Sequence, residues 1–250
     1  MVILKTINEI EKMADAGYIV ATVHEELKKI IEPGVTTEYL NDVAEKIIRR
    51  YGDKSIPGFL NYKGFPFSIC TSINEEIVHG LPSARQLVEG DIISIDVGVN
   101  YKGWFGDAAF TVGVGEISPQ AQKLINVTKE CLDKAISELW PDKNLGDVSN
   151  AIQTHAESSG FGVIRNYVGH GIGKNLHEVP QVKNYGKKKD GMLLKPGMVL
   201  AIEPMIVEKH YDNRKLSNGW TVVTKDKGLA AHFEHTVAIT EVGARILTKK

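Results

Sequence analysis

A chain of 250 residues, 42% of them hydrophobic, is long enough to bury a sizeable core, and 30 Lys and Arg against 31 Asp and Glu leave no overall field to draw in nucleic acid or an anionic membrane. Two cysteines, Cys70 and Cys131, are too few for a disulfide framework or a structural zinc site, which fits a reducing cytoplasm. No stretch reaches membrane-spanning length and residues 1–5 are too short for the apolar region of a signal peptide, so a soluble, cytoplasmic protein is expected.

In chain order, apolar spacing predicts an amphipathic helix over residues 7–31, stopped by Pro33-Gly34, and a second from Thr36 as N-cap to Tyr51, stopped by Gly52. Residues 55–66 read as loop, with Pro57, Gly58, Gly64 and Pro66. Strand patterns follow over 68–71, 77–79, 91–99 and 104–112. Ser118-Pro119 then opens a helix to about Trp140, and Asp147 caps another that ends at Ser159-Gly160. Strands return over 163–168, 198–207, 220–223 and 235–240, so the order helix, helix, strands occurs twice.

The repetition extends to individual residues. Gly90-Asp91-Ile92-Ile93-Ser94-Ile95-Asp96 parallels Gly197-Met198-Val199-Leu200-Ala201-Ile202-Glu203: a glycine, an apolar strand and an acid. A second acid follows in each copy, Asp107 ahead of Ala108-Ala109-Phe110 and Glu234 ahead of His235-Thr236-Val237. An extra loop over about 208–219 accounts for the longer gap in the second copy. A repeat at half the chain length predicts one domain over 1–250, built of two pseudo-symmetric α+β halves, approximately 1–115 and 116–250, with ligands at their seam. Lys187-Lys188-Lys189 sits in a turn-rich loop and reads as a solvated charge run.

Gly169-His170-Gly171-Ile172-Gly173-Lys174 fails as a phosphate loop, because Val168 and Asn175 stand where Gly and Ser or Thr are needed. His177-Glu178-Val179-Pro180-Gln181 lacks the second histidine of a zinc-binding helix, and Pro180 would break that helix. Taken alone, any one of the acids is more simply a turn or ion-pair residue. Four carboxylates on apolar strands are another matter, since burying them together is costly unless cations neutralise them. With one imidazole, His170, and no thiolate, the set suits two divalent ions sharing bridging carboxylates.

The run Asn74-Glu75-Glu76-Ile77-Val78-His79-Gly80-Leu81-Pro82, then Asp96, Gly106-Asp107, Gly169-His170-Gly171-Ile172-Gly173, His177-Glu178, Ile202-Glu203-Pro204-Met205, Gly219-Trp220-Thr221 and Phe233-Glu234-His235-Thr236 closely resembles the type I methionine aminopeptidases. The resemblance covers nearly the whole chain and implies their pita-bread fold, an antiparallel sheet in two pseudo-symmetric halves covered by helices. No zinc-finger extension and no large helical insertion is evident, so a minimal bacterial form is expected.

The resemblance implies removal of the initiator methionine from nascent chains, with a small second residue preferred. It assigns Asp96, Asp107 and Glu234 to one metal and Asp107, His170, Glu203 and Glu234 to the other, the ions being Fe, Mn, Co or Zn. Glu203 becomes the proton shuttle, and His79 and His177 contact the substrate amide and the tetrahedral intermediate. The side-chain pocket maps onto Phe59, Tyr62, Phe65, Cys70, Leu176 and Trp220. Phe59 departs from the small residue often found there, and His232 stands where many relatives carry Gln. His24 and His155 fall on helices without such context and read as structural. Implied partners are nascent polypeptide N-termini, with a transient ribosome contact, no nucleic-acid specificity, no membrane, and a monomeric state. Competing readings are an Xaa-Pro aminopeptidase or prolidase, which usually carries a separate N-terminal domain, and a metal-free binding protein that has kept only the fold.

Overall fold

Each helix begins where a polar side chain satisfies amides that its first turn leaves free. In the computed structural model, which describes residues 2–250, Thr6 Oγ1 accepts the Glu9 amide and Glu9 Oε2 accepts the Thr6 amide, starting α1 at Ile7–Lys28. Thr36 caps α2, Thr37–Arg49, and Ser118 caps α3, Pro119–Ser137. α4 spans Leu145–Ser158 and corrects the expected cap. The N-cap is Asn144, whose amide donates to Asp147 Oδ2 at 2.9 Å; an acid at the third helical position carries the same sequence signature as a cap. The expected ends at Ile31, Tyr51 and Trp140 overshoot, because the chain leaves the α-helix through tighter i to i+3 bonds such as Ile30 N to Leu27 O and Leu139 N to Ile136 O.

The strands of the first half are β1 (Ser55–Pro57), β2 (Cys70–Ile73), β3 (Glu76–Val78), β4 (Ile92–Tyr101) and β5 (Trp104–Gly113). Those of the second are β6 (Gly162–Val163), β7 (Gly169–Gly171), β8 (Glu178–Val182), β9 (Val199–Ile202), β10 (Met205–Val207), β11 (Asn213–Lys215), β12 (Val222–Thr224), β13 (Ala230–His232), β14 (His235–Thr240) and β15 (Gly243–Ile246). The strand expected over 198–207 is interrupted at Glu203-Pro204, where proline has no amide to give to a ladder. That expected over 163–168 shrinks to the two residues of β6. β1 lies inside the expected loop, and β8 escapes the pattern because Pro180 sits within it.

β4 pairs with β5 along its whole length and with β1 and β2 on its other edge. The larger sheet of the second half runs β15-β14-β9-β7-β8. Side chains alternate faces along a strand, and here the odd positions Ile93, Ile95, Val97 and Val99 of β4 pack with Val20, Val23, Leu40 and Ile47 of α1 and α2. Leu200, Ile202, Val237 and Ile239 pack likewise beneath α3 and α4. The opposite faces are therefore left to Ser94, Asp96 and Gly98, and to Ala201 and Thr236.

The halves match in detail. Gly90 and Gly197 both adopt positive φ, 91° and 88°, at the turns that lead into β4 and β9. Isolated bridges Thr36–Gln86 and Asn144–Leu193 tie each half's second helix cap to the segment before that glycine. No helix among the described residues is long and apolar enough to cross a membrane.

The two sheets meet where the Glu234 amide donates to Ala109 O at 2.9 Å and the Ala109 amide donates to Glu234 O at 3.3 Å. Two threonines lace this seam. Thr236 Oγ1 accepts the Asp107 amide (2.9 Å) and donates to the Asp107 carbonyl (2.8 Å); Thr111 Oγ1 accepts the His232 amide (2.9 Å) and donates to its carbonyl (2.8 Å). Thr236→Val should strand a buried amide and carbonyl and so destabilise the protein by about 1–3 kcal/mol. Urea unfolding of the metal-free variant measures this, and an unchanged midpoint would mean that the hydroxyl does not join the halves.

Candidate metal centre

Strand register gathers the acids. Asp96 stands opposite Ala109 and Asp107 opposite Gly98, so the two are diagonal neighbours on the face turned away from the helices. Glu234 bonds to Ala109 through its backbone, which sets it beside Asp107. His235 pairs with Ile202 and His170 with Ala201, bringing Glu234, Glu203 and His170 to the same face. His170 Nε2 lies 4.0 Å from Asp107 Oδ2 and 3.6 Å from Glu203 Oε1. One donor atom each from Asp107, His170 and Glu234 fall within 4.8 Å of one another.

The electrostatics of this cluster are unfavourable as it stands. Asp107 is 3% and Glu234 2% exposed, and Asp96 Oδ1, Asp107 Oδ1 and Glu234 Oε1 are buried without any hydrogen-bond partner. Burial pushes the Asp107 carboxyl up to about 7. Burial, then repulsion from Asp107, holds Asp96, Glu203 and Glu234 well above the ordinary carboxylate range. His170 behaves oppositely: burial lowers it to about 4, so its imidazole is neutral near pH 7. Its Nδ1 is 2.9 Å from the Gly171 carbonyl, an acceptor only, so Nδ1 carries the proton and Nε2 keeps its lone pair toward the acids. Orphaned carboxylate oxygens around one basic imidazole nitrogen fit a divalent cation of hard or borderline character.

Cys70, opposite Asp96 in the register, does not add a thiolate. Burial, followed by the charge of Asp96, raises its thiol well above the usual value. His232 is the departure that matters most here. Its Nε2 has no hydrogen-bond partner and sits 3.8 Å from Glu203 Oε2 and 3.9 Å from Glu234 Oε2, and burial lowers it to about 3.

A cavity of about 170 Å³ opens on this cluster. Its walls include Asp96, Asp107, His170, Glu203 and Glu234, and also Phe59, Tyr62, Phe65, Cys70, His79, Leu176, His177 and Trp220, so the side chains expected to hold metal, to catalyse and to form the pocket line one space, while His232 does not reach its wall. Phe65 meets Trp220 edge to face at 5.1 Å and Phe59 at 6.5 Å. The Phe59 ring lies against Gly98, where a Cβ would come within 3 Å of several ring carbons, so the bulky residue is accommodated by a glycine across the wall. His177 stacks on Tyr62 at 5.3 Å and shares a 2.9 Å hydrogen bond between Nδ1 and Oη. His79 follows β3, whose pairing with β12 sets Val78 opposite Val222, and it takes a positive φ of 59°. Burial lowers His79 to about 4 and His177 to about 3.

The cavity also contains Lys63, which sequence reasoning passed over; its ammonium lies 5.4 Å over the Tyr62 ring, and its place in the irregular 55–66 loop next to Tyr62 was the available signal. His24 and His155 lie elsewhere. The first packs edge-on against Phe110 at 4.7 Å and the second meets Glu130 at 2.6 Å.

A family model described as metallopeptidase family M24 matches residues 11–241. The chain is similar to methionine aminopeptidase 1 of Bacillus subtilis, 51% identical over 249 residues and all of both chains, and to a methionine aminopeptidase of Clostridium acetobutylicum, 53% identical over 99% of each. Among solved structures, a methionine aminopeptidase from Thermotoga maritima matches with TM-score 0.98 and 48% identity across both whole chains. A prolidase from Pyrococcus horikoshii, at 22% identity, TM-score 0.78 and 64% coverage of its own chain, shares the fold alone.

Because the buried carboxyls hold protons that a cation must displace, metal binding at pH 6 should release protons, and affinity should climb as pH rises through about 7, where Asp107 ionises unaided. Calorimetric titration with Mn(II) in buffers of different ionisation enthalpy reads this directly. A binding heat independent of buffer would mean that the acids are already ionised in the metal-free protein.

Proposed function

Because the chain belongs to metallopeptidase family M24, we propose that it is a methionyl aminopeptidase, a hydrolase that removes the N-terminal methionine from proteins with two divalent ions held in the seam. The observation that carries this reading is the contiguity of the two halves of the site: buried, partnerless carboxylate oxygens form one end of a cavity whose other walls are aromatic and apolar. Asp96, Asp107 and Glu234 would hold one ion and Asp107, His170, Glu203 and Glu234 the other, so Asp107 and Glu234 are shared. Which of Fe, Mn, Co or Zn is used follows from availability in the cell, since the donors accept all four.

Ions held by these residues would supply Lewis-acid polarisation of the scissile carbonyl and a nucleophilic water near neutral pH. Glu203, only 13% exposed at its side chain and next to the His170 imidazole, takes the proton from the attacking water and returns it to the leaving amine. His79 and His177, neutral at pH 7, offer N–H donors to the substrate amide and to the oxygen that gains charge in the tetrahedral intermediate. The Tyr62 bond and stack fix the His177 ring for that purpose. Tyr62, Phe65, Cys70 and Trp220 suit an unbranched thioether, which bends to fill an aromatic pocket and makes favourable sulfur contacts with ring edges. Phe59 and Leu176 complete the wall. Crowding by His79 and His177 limits the second residue to small ones. The whole chain acts as one catalytic domain, its halves dividing near residue 115. Its partners are nascent N-termini in the cytoplasm, with a transient ribosome contact, and it works as a monomer.

A peptide panel varying the first two positions, assayed anaerobically with Fe(II), Mn(II) and Co(II), tests the assignment: Met followed by Gly, Ala or Ser should be cleaved, and Met followed by a large residue should not. Efficient cleavage of Xaa-Pro peptides without preference for Met would replace the assignment with a prolidase-type activity. Glu203→Gln should retain at least one metal yet lose about 10²- to 10⁴-fold in kcat; full rate at saturating metal would reduce Glu203 to a ligand. Asp107→Asn should lower metal stoichiometry in elemental analysis while the far-ultraviolet spectrum of the protein stays unchanged.

A further inference from the structure

The segment ahead of α1 packs against Glu178, the residue that follows His177 of the cavity wall. The Lys5 amide donates to the Gly197 carbonyl at 2.7 Å, which turns its side chain inward to meet Glu178, Nζ to Oε2, at 2.7 Å. Both side chains are buried, 3% and 8% exposed. Glu178 directly follows His177, and its other oxygen accepts the Asn175 amide at 3.2 Å. The turn between β7 and β8 is therefore gripped at its outer end by one carboxylate, and that carboxylate by one ammonium. Gly173 makes the room: a Cβ there would lie 2.6 Å from both Lys5 Cε and Glu178 Oε1. Its carbonyl accepts the Phe105 amide at 2.9 Å, tying the turn to β5 as well.

A buried ion pair is a weak source of stability, because both charges give up their water to form it. Its place here points to another use. We propose that Lys5 is a positioning residue that acts through Glu178 to set His177 and Leu176 against the bound substrate. The proposal rests on the aminopeptidase reading and adds to it a residue remote in sequence from every motif of the site. The ammonium holds Glu178 Oε2, Glu178 Oε1 holds the Asn175 amide, and the peptide that links His177 to Glu178 loses its freedom to swing. Tyr62 then completes the fixation from the cavity side.

The experiment compares Lys5→Met, Lys5→Arg, Gly173→Ala and the double variant Lys5→Met/Glu178→Gln in the full chain. Two readouts need no turnover: amide hydrogen exchange over residues 173–178 and the nuclear magnetic resonance signals of the His177 imidazole. A third is the separation of kcat from KM on a Met-Ala-Ser peptide. Lys5→Met, Gly173→Ala and the double variant should speed exchange in the turn, shift the His177 signals and lower kcat/KM by about 10- to 100-fold, the scale of a misplaced positioning group, with Lys5→Arg restoring all three. The double variant buries no lone charge and should unfold at the wild-type midpoint, which separates positioning from stability. Should Lys5→Met fail to fold, the double variant and Gly173→Ala decide. Wild-type exchange, His177 signals and kinetics in the double variant would overturn the proposal. A wild-type enzyme inactive on every Met peptide would sink the aminopeptidase reading, and the two turnover-free measurements would still decide whether Lys5 positions the turn.

Discussion

Like-charge repulsion within a buried seam is the constraint around which the molecule is arranged. Asp96, Asp107, Glu203 and Glu234 occupy one face of two adjoining sheets, and Asp96 Oδ1, Asp107 Oδ1 and Glu234 Oε1 find no hydrogen-bond partner among the described residues. Carboxylates placed this way are tolerated when a cation takes up their oxygens, or when protons do so in its absence. The supporting structure is correspondingly rigid. α1 to α4 cover the outer faces, backbone bonds join Glu234 to Ala109, and Thr111 and Thr236 satisfy the backbone of residues on the opposite half. A flexible seam would let the acids relax apart and cost the site its affinity for metal.

Much of this arrangement is legible in the sequence because it depends on alternation. In Ile93-Ser94-Ile95-Asp96-Val97 the apolar residues share one face and the acid the other, and the same parity recurs in Leu200-Ala201-Ile202-Glu203. Two acids per half at matching positions after equivalent glycines then imply a common site, which the register delivers. The resemblance to the type I methionine aminopeptidases supplied the remainder: periodicity alone gives no reason to choose His79, His177 or the aromatic residues of an irregular loop, yet these line the same cavity as the acids.

What stayed hidden has physical causes. Strands of three residues, such as β11 and β13, are too short to display a period, and β8 contains a proline that argues against any strand. Asn144 and Asp147 divide the capping of α4 between them, so the helix starts earlier than the acid alone indicates. Lys63 has no motif, and Thr111 and Thr236 are ordinary strand threonines until their partners on the other half are known. Lys5 and Glu178 lie 173 residues apart, and neither carries a local signal of the other.

The seam also sets an order of events. Glu234 belongs to the second half, and the Thr236 amide beside it donates to Thr248 Oγ1 at 3.2 Å. The earlier half holds only Asp96 and Asp107. A chain still emerging from its template thus has the first helices, the first sheet and half of the acids, but no place where a cation meets a full set of donors. Contacts of such long sequence separation form late, after loop closure has been accomplished. Metal capture consequently waits on the docking of the two halves, because neither half alone brings a full set of donors to one point.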